Sequence, residues 1–150
     1  MPTRRRFLAT LTAIAGAPFA ARAVPAQADG RDFLIRQVTG GGALVREGRV
    51  KVDTPELADN GHSVPLRVIV DSPMTATDYV RSVTLLAERN PRPIVATFSL
   101  GPWAGRAEIF TRIRLADTQE VLALAQLSDG SYWSGTAKVI VTELACLDGS

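Results

Sequence analysis

The chain holds one cysteine, Cys146, and one histidine, His62, and these two counts limit the chemistry open to it. A thiolate is a strong nucleophile, so Cys146 is the foremost chemical candidate. With no second cysteine it cannot close an internal disulfide; it must be packed, pair with another chain, or react. Leu144 and Leu147 on either side suit a packed small hydrophobe. A place beyond the last long apolar run suits a thiol within reach of solvent or of a partner. His62 lies in Asn60-Gly61-His62-Ser63, a turn sequence, and is expected on an exposed loop. Ser63 is its direct neighbour and cannot easily offer triad geometry. A zinc site needs three or four Cys, His or carboxylate ligands, and one Cys with one His does not supply the nitrogen and sulfur. Asp117 and Glu120 resemble a carboxylate pair, yet Ala116-Asp117-Thr118-Gln119 reads as a solvated turn. Gly40-Gly41-Gly42 lacks the spacing and the lysine of a phosphate-binding loop and reads as a helix stop. No cofactor or metal site is expected.

The first residues carry an address. Thr3-Arg4-Arg5-Arg6-Phe7-Leu8 sets paired arginines before an apolar run from Leu8 to Ala21, and no acidic residue precedes Asp29. This is the order of a twin-arginine export signal. Gly16 and Pro18 interrupt the run, which falls short of the roughly 20 apolar residues of a spanning helix. Cleavage rather than membrane anchoring is expected. Small residues alternate at Ala21-Arg22-Ala23 and at Ala26-Gln27-Ala28; the second is favoured, leaving residues 29–150. The route carries folded cargo, often with a cofactor or a co-exported partner, and here a partner is the better expectation.

Loss of residues 1–28 reverses the charge. Arg4, Arg5, Arg6 and Arg22 leave with them, so 13 of the 17 basic residues face all 15 acidic ones, a net charge near −2. No basic stripe remains for nucleic acid. About 122 residues suffice for one domain with a modest core. The expected organisation is a signal over 1–28, a domain over 29–143, and a tail over 144–150 carrying Cys146.

The domain must position that tail, and its pattern is mostly β. Phe33, Leu34 and Val38 fall at helical spacing before the three glycines, which predicts one short helix over 31–38. Beyond it, apolar residues alternate or cluster in short runs broken by Pro, Gly, Asn and Asp. Strands are expected near 49–52, 65–71, 82–88, 94–100, 107–115, 121–127 and 132–144. Leu66, Val68 and Val70 share a core face, as do Ile109, Thr111, Ile113 and Leu115; Phe110, Arg112 and Arg114 project from the opposite face. Asp129-Gly130 is a hairpin turn signal. Seven short strands with one helix predict an all-β sandwich. A disulfide-bridged antibody domain is excluded by the single cysteine. Trp103, in a Gly-Pro-Trp-Ala-Gly loop, is a candidate partner anchor; Trp133, in a strand, is expected in the core. Phe110 is expected to cover a partner sheet or the helix near Phe33.

Several segments, taken in order, carry a family resemblance: Val64-Pro65, Val70-Asp71-Ser72-Pro73-Met74-Thr75 with Asp78-Tyr79-Val80, Glu88-Arg89-Asn90-Pro91, Gly105-Arg106-Ala107, Thr111-Arg112-Ile113-Arg114-Leu115-Ala116, and Ser128-Asp129-Gly130-Ser131-Tyr132-Trp133. The chain resembles SoxY, the sulfur-carrier family of bacterial thiosulfate oxidation, from signal to terminal cysteine. The resemblance implies a periplasmic, immunoglobulin-like β-sandwich paired with a SoxZ subunit. It implies a carrier rather than an enzyme: a haem cytochrome couples thiosulfate to a C-terminal cysteine, and a hydrolase releases sulfate. The cysteine matching that role is Cys146.

The tail departs from the family pattern. Where that pattern has Gly-Gly-Cys-Gly-Gly, this chain has Leu144-Ala145-Cys146-Leu147-Asp148-Gly149. Leu and Ala reach fewer backbone states than glycine, so a stiffer tail is expected. Leu147 adds bulk beside the thiol, and Asp148 sets a negative charge two residues from it. Two functions are therefore carried forward: a covalent sulfur carrier acting through Cys146, and a non-covalent scaffolding subunit paired with a SoxZ-like chain.

Overall fold

In the computed structural model, residues 28–143 are described, with side chains from Gly30 onward. The export signal and the tail with Cys146 lie outside the described residues.

Helix α1 (Ala28–Thr39) comes first. It buries Leu34, with Ile35 and Val38 beside it, against Leu86 and Leu122. The predicted helical stripe is thus rotated by one residue: Phe33 stays 66% exposed, because it stands one helical step to the side of Leu34 and Val38. The helix stops where expected. Gly40 takes a positive φ of 76°, and the Gly41 N–H donates to the Arg36 carbonyl at 2.9 Å, closing the helix end with a residue that carries no Cβ penalty there.

Nine strands follow among the described residues: β1 (Val45–Glu47), β2 (Val50–Asp53), β3 (Leu57–Asn60), β4 (Val64–Val70), β5 (Val80–Ala87), β6 (Ile94–Ser99), β7 (Glu108–Ile113), β8 (Gln119–Leu127) and β9 (Tyr132–Glu143). One sheet runs β1-β9-β8-β5-β6, with β3 also on β9; the other runs β2-β4-β7. This is an immunoglobulin-like β-sandwich with one short N-terminal helix. All seven expected strands are present, and β1 and β3 are additional.

The two sheets meet over a core built by period-2 alternation. Val64, Leu66, Val68 and Val70 point inward from β4, Ile109 and Ile113 from β7, Val121, Ala123 and Ala125 from β8, and Val139 and Val141 from β9. Full burial of each leucine or valine contributes about 1.5–3 kcal/mol before chain entropy is counted. Leu122 and Leu124 on the opposite face of β8 are buried too. For Leu122 the cover is α1.

Strand β9 is the spine. Its twelve residues pair antiparallel with β8 on one side. On the other side, β1 pairs parallel with its first part (Val45 to Tyr132) and β3 with its last part (Asn60 to Glu143). Between them the chain crosses to the other sheet as β2. That crossing brings Val50 over Gly135 so closely that a Cβ at Gly135 would collide with the Val50 carbonyl oxygen. The β8–β9 hairpin turns on Gly130 at φ 83°. There the Asp129 carboxylate accepts from the Ser131 hydroxyl (2.6 Å) and the Ser131 N–H (2.9 Å), which holds its pKa below the ordinary carboxylate value.

Candidate functional site

The strand that leads to Cys146 ends at Glu143, three residues before it. That end is held from both sheets. The Gly61 N–H donates to the Glu143 carbonyl at 3.3 Å, and the Gly61 carbonyl accepts from the Leu115 N–H at 2.8 Å. Gly61 is buried and belongs to the turn between β3 and β4, the same turn that carries His62 and Ser63. One residue thus links the end of β9 to the end of β7.

His62 is exposed, as expected, and its N–H donates to the Asn60 side-chain oxygen at 3.1 Å. Its position beside the root of the tail was not readable from the sequence, because it depends on β3 pairing with β9 over some eighty residues of separation. The Ser63 hydroxyl accepts from Arg112 Nε at 2.8 Å. Arg112 on β7 and Arg114, one residue past its end, are both exposed, as the alternation predicted.

A second cluster fixes the segment after β7. The Asn90 side-chain oxygen accepts from the Ala116 N–H (2.9 Å) and from Gln119 Nε2 (3.0 Å), and Asn90 Nδ2 donates to the Arg114 carbonyl (2.7 Å). Gln119 is buried, and its side-chain oxygen accepts from the Arg89 N–H at 2.9 Å. Asn90 stands in one of the segments that carry the family resemblance, but its bonding role was not readable there, because its partners lie 24 to 29 residues away.

The remaining candidates do not converge. Asp117 pairs with Arg89 at 3.2 Å and Glu120 with Arg31 at 3.4 Å, so the two carboxylates serve different cations. Gly40, Gly41 and Gly42 end the helix. A groove of about 530 Å³ beside α1 is lined by Arg31, Glu88, Arg89, Glu120 and Lys138, a mixed set in which both arginines are paired. Among the described residues, no three His, Cys, Asp or Glu side chains group as a metal site.

The two tryptophans differ in role. Trp103 is 86% exposed, on a 3-10 turn (Pro102–Ala104), with its ring lying against Gly101. Trp133 is half-buried rather than fully in the core: it packs on the core edge, and Arg49 and Arg46 stand over it with guanidinium carbons 4.9 and 5.8 Å from the ring centroid. Phe110 is 74% exposed on β7, opposite Arg67. It cannot cover the helix, which packs on the other sheet.

Comparison with known proteins agrees with this architecture. The profile of the family "Sulfur oxidation protein SoxY" matches residues 35–146. No curated protein sequence matches. The structure of the sulfur carrier protein SoxY from Chlorobium limicola f thiosulfatophilum is similar over 77% of this chain and 99% of that one, with 26% identity and a TM-score of 0.65. A superoxide reductase (neelaredoxin) from Ignicoccus hospitalis covers 63% of this chain and 80% of its own, at 17% identity and a TM-score of 0.56. A putative superoxide reductase from Thermotoga maritima covers 67% and 95%, at 16% and 0.54. At such identities these two share the fold alone. The match over most of the chain, from within α1 through Cys146, makes this protein a member of the SoxY family of sulfur oxidation proteins.

Proposed function

We propose that this protein is a periplasmic carrier of sulfur intermediates in thiosulfate oxidation, holding them covalently on Cys146 while partner enzymes act. The observation that carries this reading is that the family match extends through Cys146 itself. It is supported by a strand, β9, tied down at Glu143 three residues before the cysteine in sequence.

The chemistry balances with two partners. A thiolate and thiosulfate join through a new S–S bond, giving Cys–S–S–SO₃⁻, and two electrons pass to a haem cytochrome. Water then attacks the sulfonate sulfur; the S–S bond to that sulfur breaks, sulfate and two protons leave, and a persulfide remains on the carrier. Both steps use the partners' catalytic groups, so the carrier supplies a reachable thiol and a docking body. Export by the twin-arginine route, with cleavage near Ala28, delivers the folded domain to that compartment.

Pairing with a SoxZ-like subunit belongs to the same reading. Helix α1 covers part of the outer face of the larger sheet, whereas the outer face of β2-β4-β7 presents Phe110 beside Arg67 and Arg112 without a covering element among the described residues. An exposed aromatic ringed by arginines is a favoured anchor at protein interfaces.

The test is a Cys146→Ser variant in a reconstituted thiosulfate-oxidising system. Turnover is expected to fall to background while the thermal midpoint stays unchanged. Turnover retained without the thiol would leave the scaffolding role instead, a reading to which the Leu-flanked tail sequence lends some weight.

A further inference from the structure

We infer that strand β6 is a docking edge for a second copy of this chain, which adds its own β6 antiparallel about a two-fold axis at Phe98. The inference goes beyond the carrier reading and does not depend on it. Among the described residues β6 pairs only with β5, so one side of its backbone is open. Sheet edges are ordinarily guarded by charge. The other outer strands follow that rule: β1 carries Arg46 and Glu47, β2 Lys51 and Asp53, β3 Asp59, and β7 Glu108 and Arg112. Strand β6, Ile94-Val95-Ala96-Thr97-Phe98-Ser99, carries no charge. Its first residues are offset by a bulge against β5 between Leu85 and Leu86, which leaves Ala96 onward as the regular part of the edge.

Hydrogen bonding fixes which groups face outward. The Leu100 N–H donates to the Arg81 carbonyl at 2.8 Å, which makes these two a bonded pair. By the alternation of an antiparallel ladder, Phe98 and Ala96 also bond to β5, opposite Val83 and Leu85, while Thr97 and Ser99 aim their N–H and C=O groups away from it. Outward from Phe98 the segment is a chemical palindrome: hydroxyls at Thr97 and Ser99, then apolar side chains at Ala96 and Leu100. An antiparallel copy centred on Phe98 sets Thr97 against Ser99 twice, for about four backbone hydrogen bonds. It also sets small Ala96 against larger Leu100, and Phe98 against its own copy, an aromatic cross-strand pair. A strand of unrelated sequence has no reason to match this symmetry, whereas a second copy supplies it automatically. The adjoining surface suits burial as well. On the outer face a groove of about 300 Å³ reaches β6 through Thr84 and Thr97, whose hydroxyls stand 3.2 Å apart. Its lining, which includes Ser82, Leu124 and Gln126, has no charged residue. The subunit proposed for the β2-β4-β7 face and this second copy use different strands.

The test is sedimentation equilibrium of the mature full-length protein in reducing buffer, where no disulfide through Cys146 contributes. A reversible monomer–dimer equilibrium is the expected result. Thr97→Lys/Ser99→Lys sets lysine against lysine across the axis and should raise the dimer dissociation constant by roughly tenfold or more. Both residues are exposed, and circular dichroism checks that the variant folds. Ser99→Pro deletes an outward N–H and none that bonds β5, so it should weaken the dimer without adding charge. Phe110→Ala, on the other sheet, should leave the equilibrium unchanged. In the unaltered protein the Thr97 and Ser99 amides should exchange hydrogen fast when dilute and slowly when concentrated. A parent that is monomeric at every concentration, a dimer that survives both edge variants, or a dimer abolished by Phe110→Ala would each overturn the inference. None of these readouts involves a sulfur adduct, so the result is independent of whether Cys146 carries one.

Discussion

Gly61 donates its N–H to the Glu143 carbonyl and offers its own carbonyl to Leu115, so the strand that leads to Cys146 and the strand that carries Arg112 end on the same buried glycine. The β3–β4 turn is therefore a junction between the sheets. Its side chains, His62 and Ser63, stand where the tail begins.

Asn90 should be the keystone of the neighbouring segment. It satisfies Ala116, Gln119 and the Arg114 carbonyl at once. In Asn90→Ala these groups lose their partner, and a destabilisation of about 1–3 kcal/mol is expected, read as a drop of several degrees in the thermal midpoint. An unchanged midpoint would mean that water replaces the side chain without cost.

Gly135→Ala tests how the sandwich closes. The added methyl would meet the Val50 backbone carbonyl, which cannot swing aside as a side-chain tip can. A loss of about 1–3 kcal/mol in denaturant unfolding is expected. A variant as stable as the parent would show that β2 can move off β9 freely.

Much of this fold was legible because burial writes itself into strands with period 2. Leu66, Val68 and Val70, or Ile109 and Ile113, announce their face whatever they pack against. Strands β1 and β3 carry no such signal: they have three and four residues, mostly exposed, and exist because β9 is long enough to pair with both. The helix was legible, but not its rotation, which Leu86 and Leu122 decide. Cys146 could be singled out by its chemistry alone. The junction of Glu143, Gly61 and Leu115 could not, because hydrogen bonds across fifty to eighty residues leave no local pattern.

Phe110→Ala separates binding from folding. At 74% exposure the ring contributes little to the core, so stability should stay within about 0.5 kcal/mol. Affinity for the proposed SoxZ-like subunit should fall roughly tenfold in calorimetric titration. Equal affinity would remove the β2-β4-β7 face from the interface.

The most direct measurement is the intact mass of the mature protein purified from thiosulfate-grown cells, before and after mild reduction, with peptide mapping of residues 144–150. Sulfur-containing mass increments confined to Cys146 and lost on reduction are the predicted result. A thiol that is unmodified before reduction and resists alkylation in the folded protein would contradict the carrier role of Cys146.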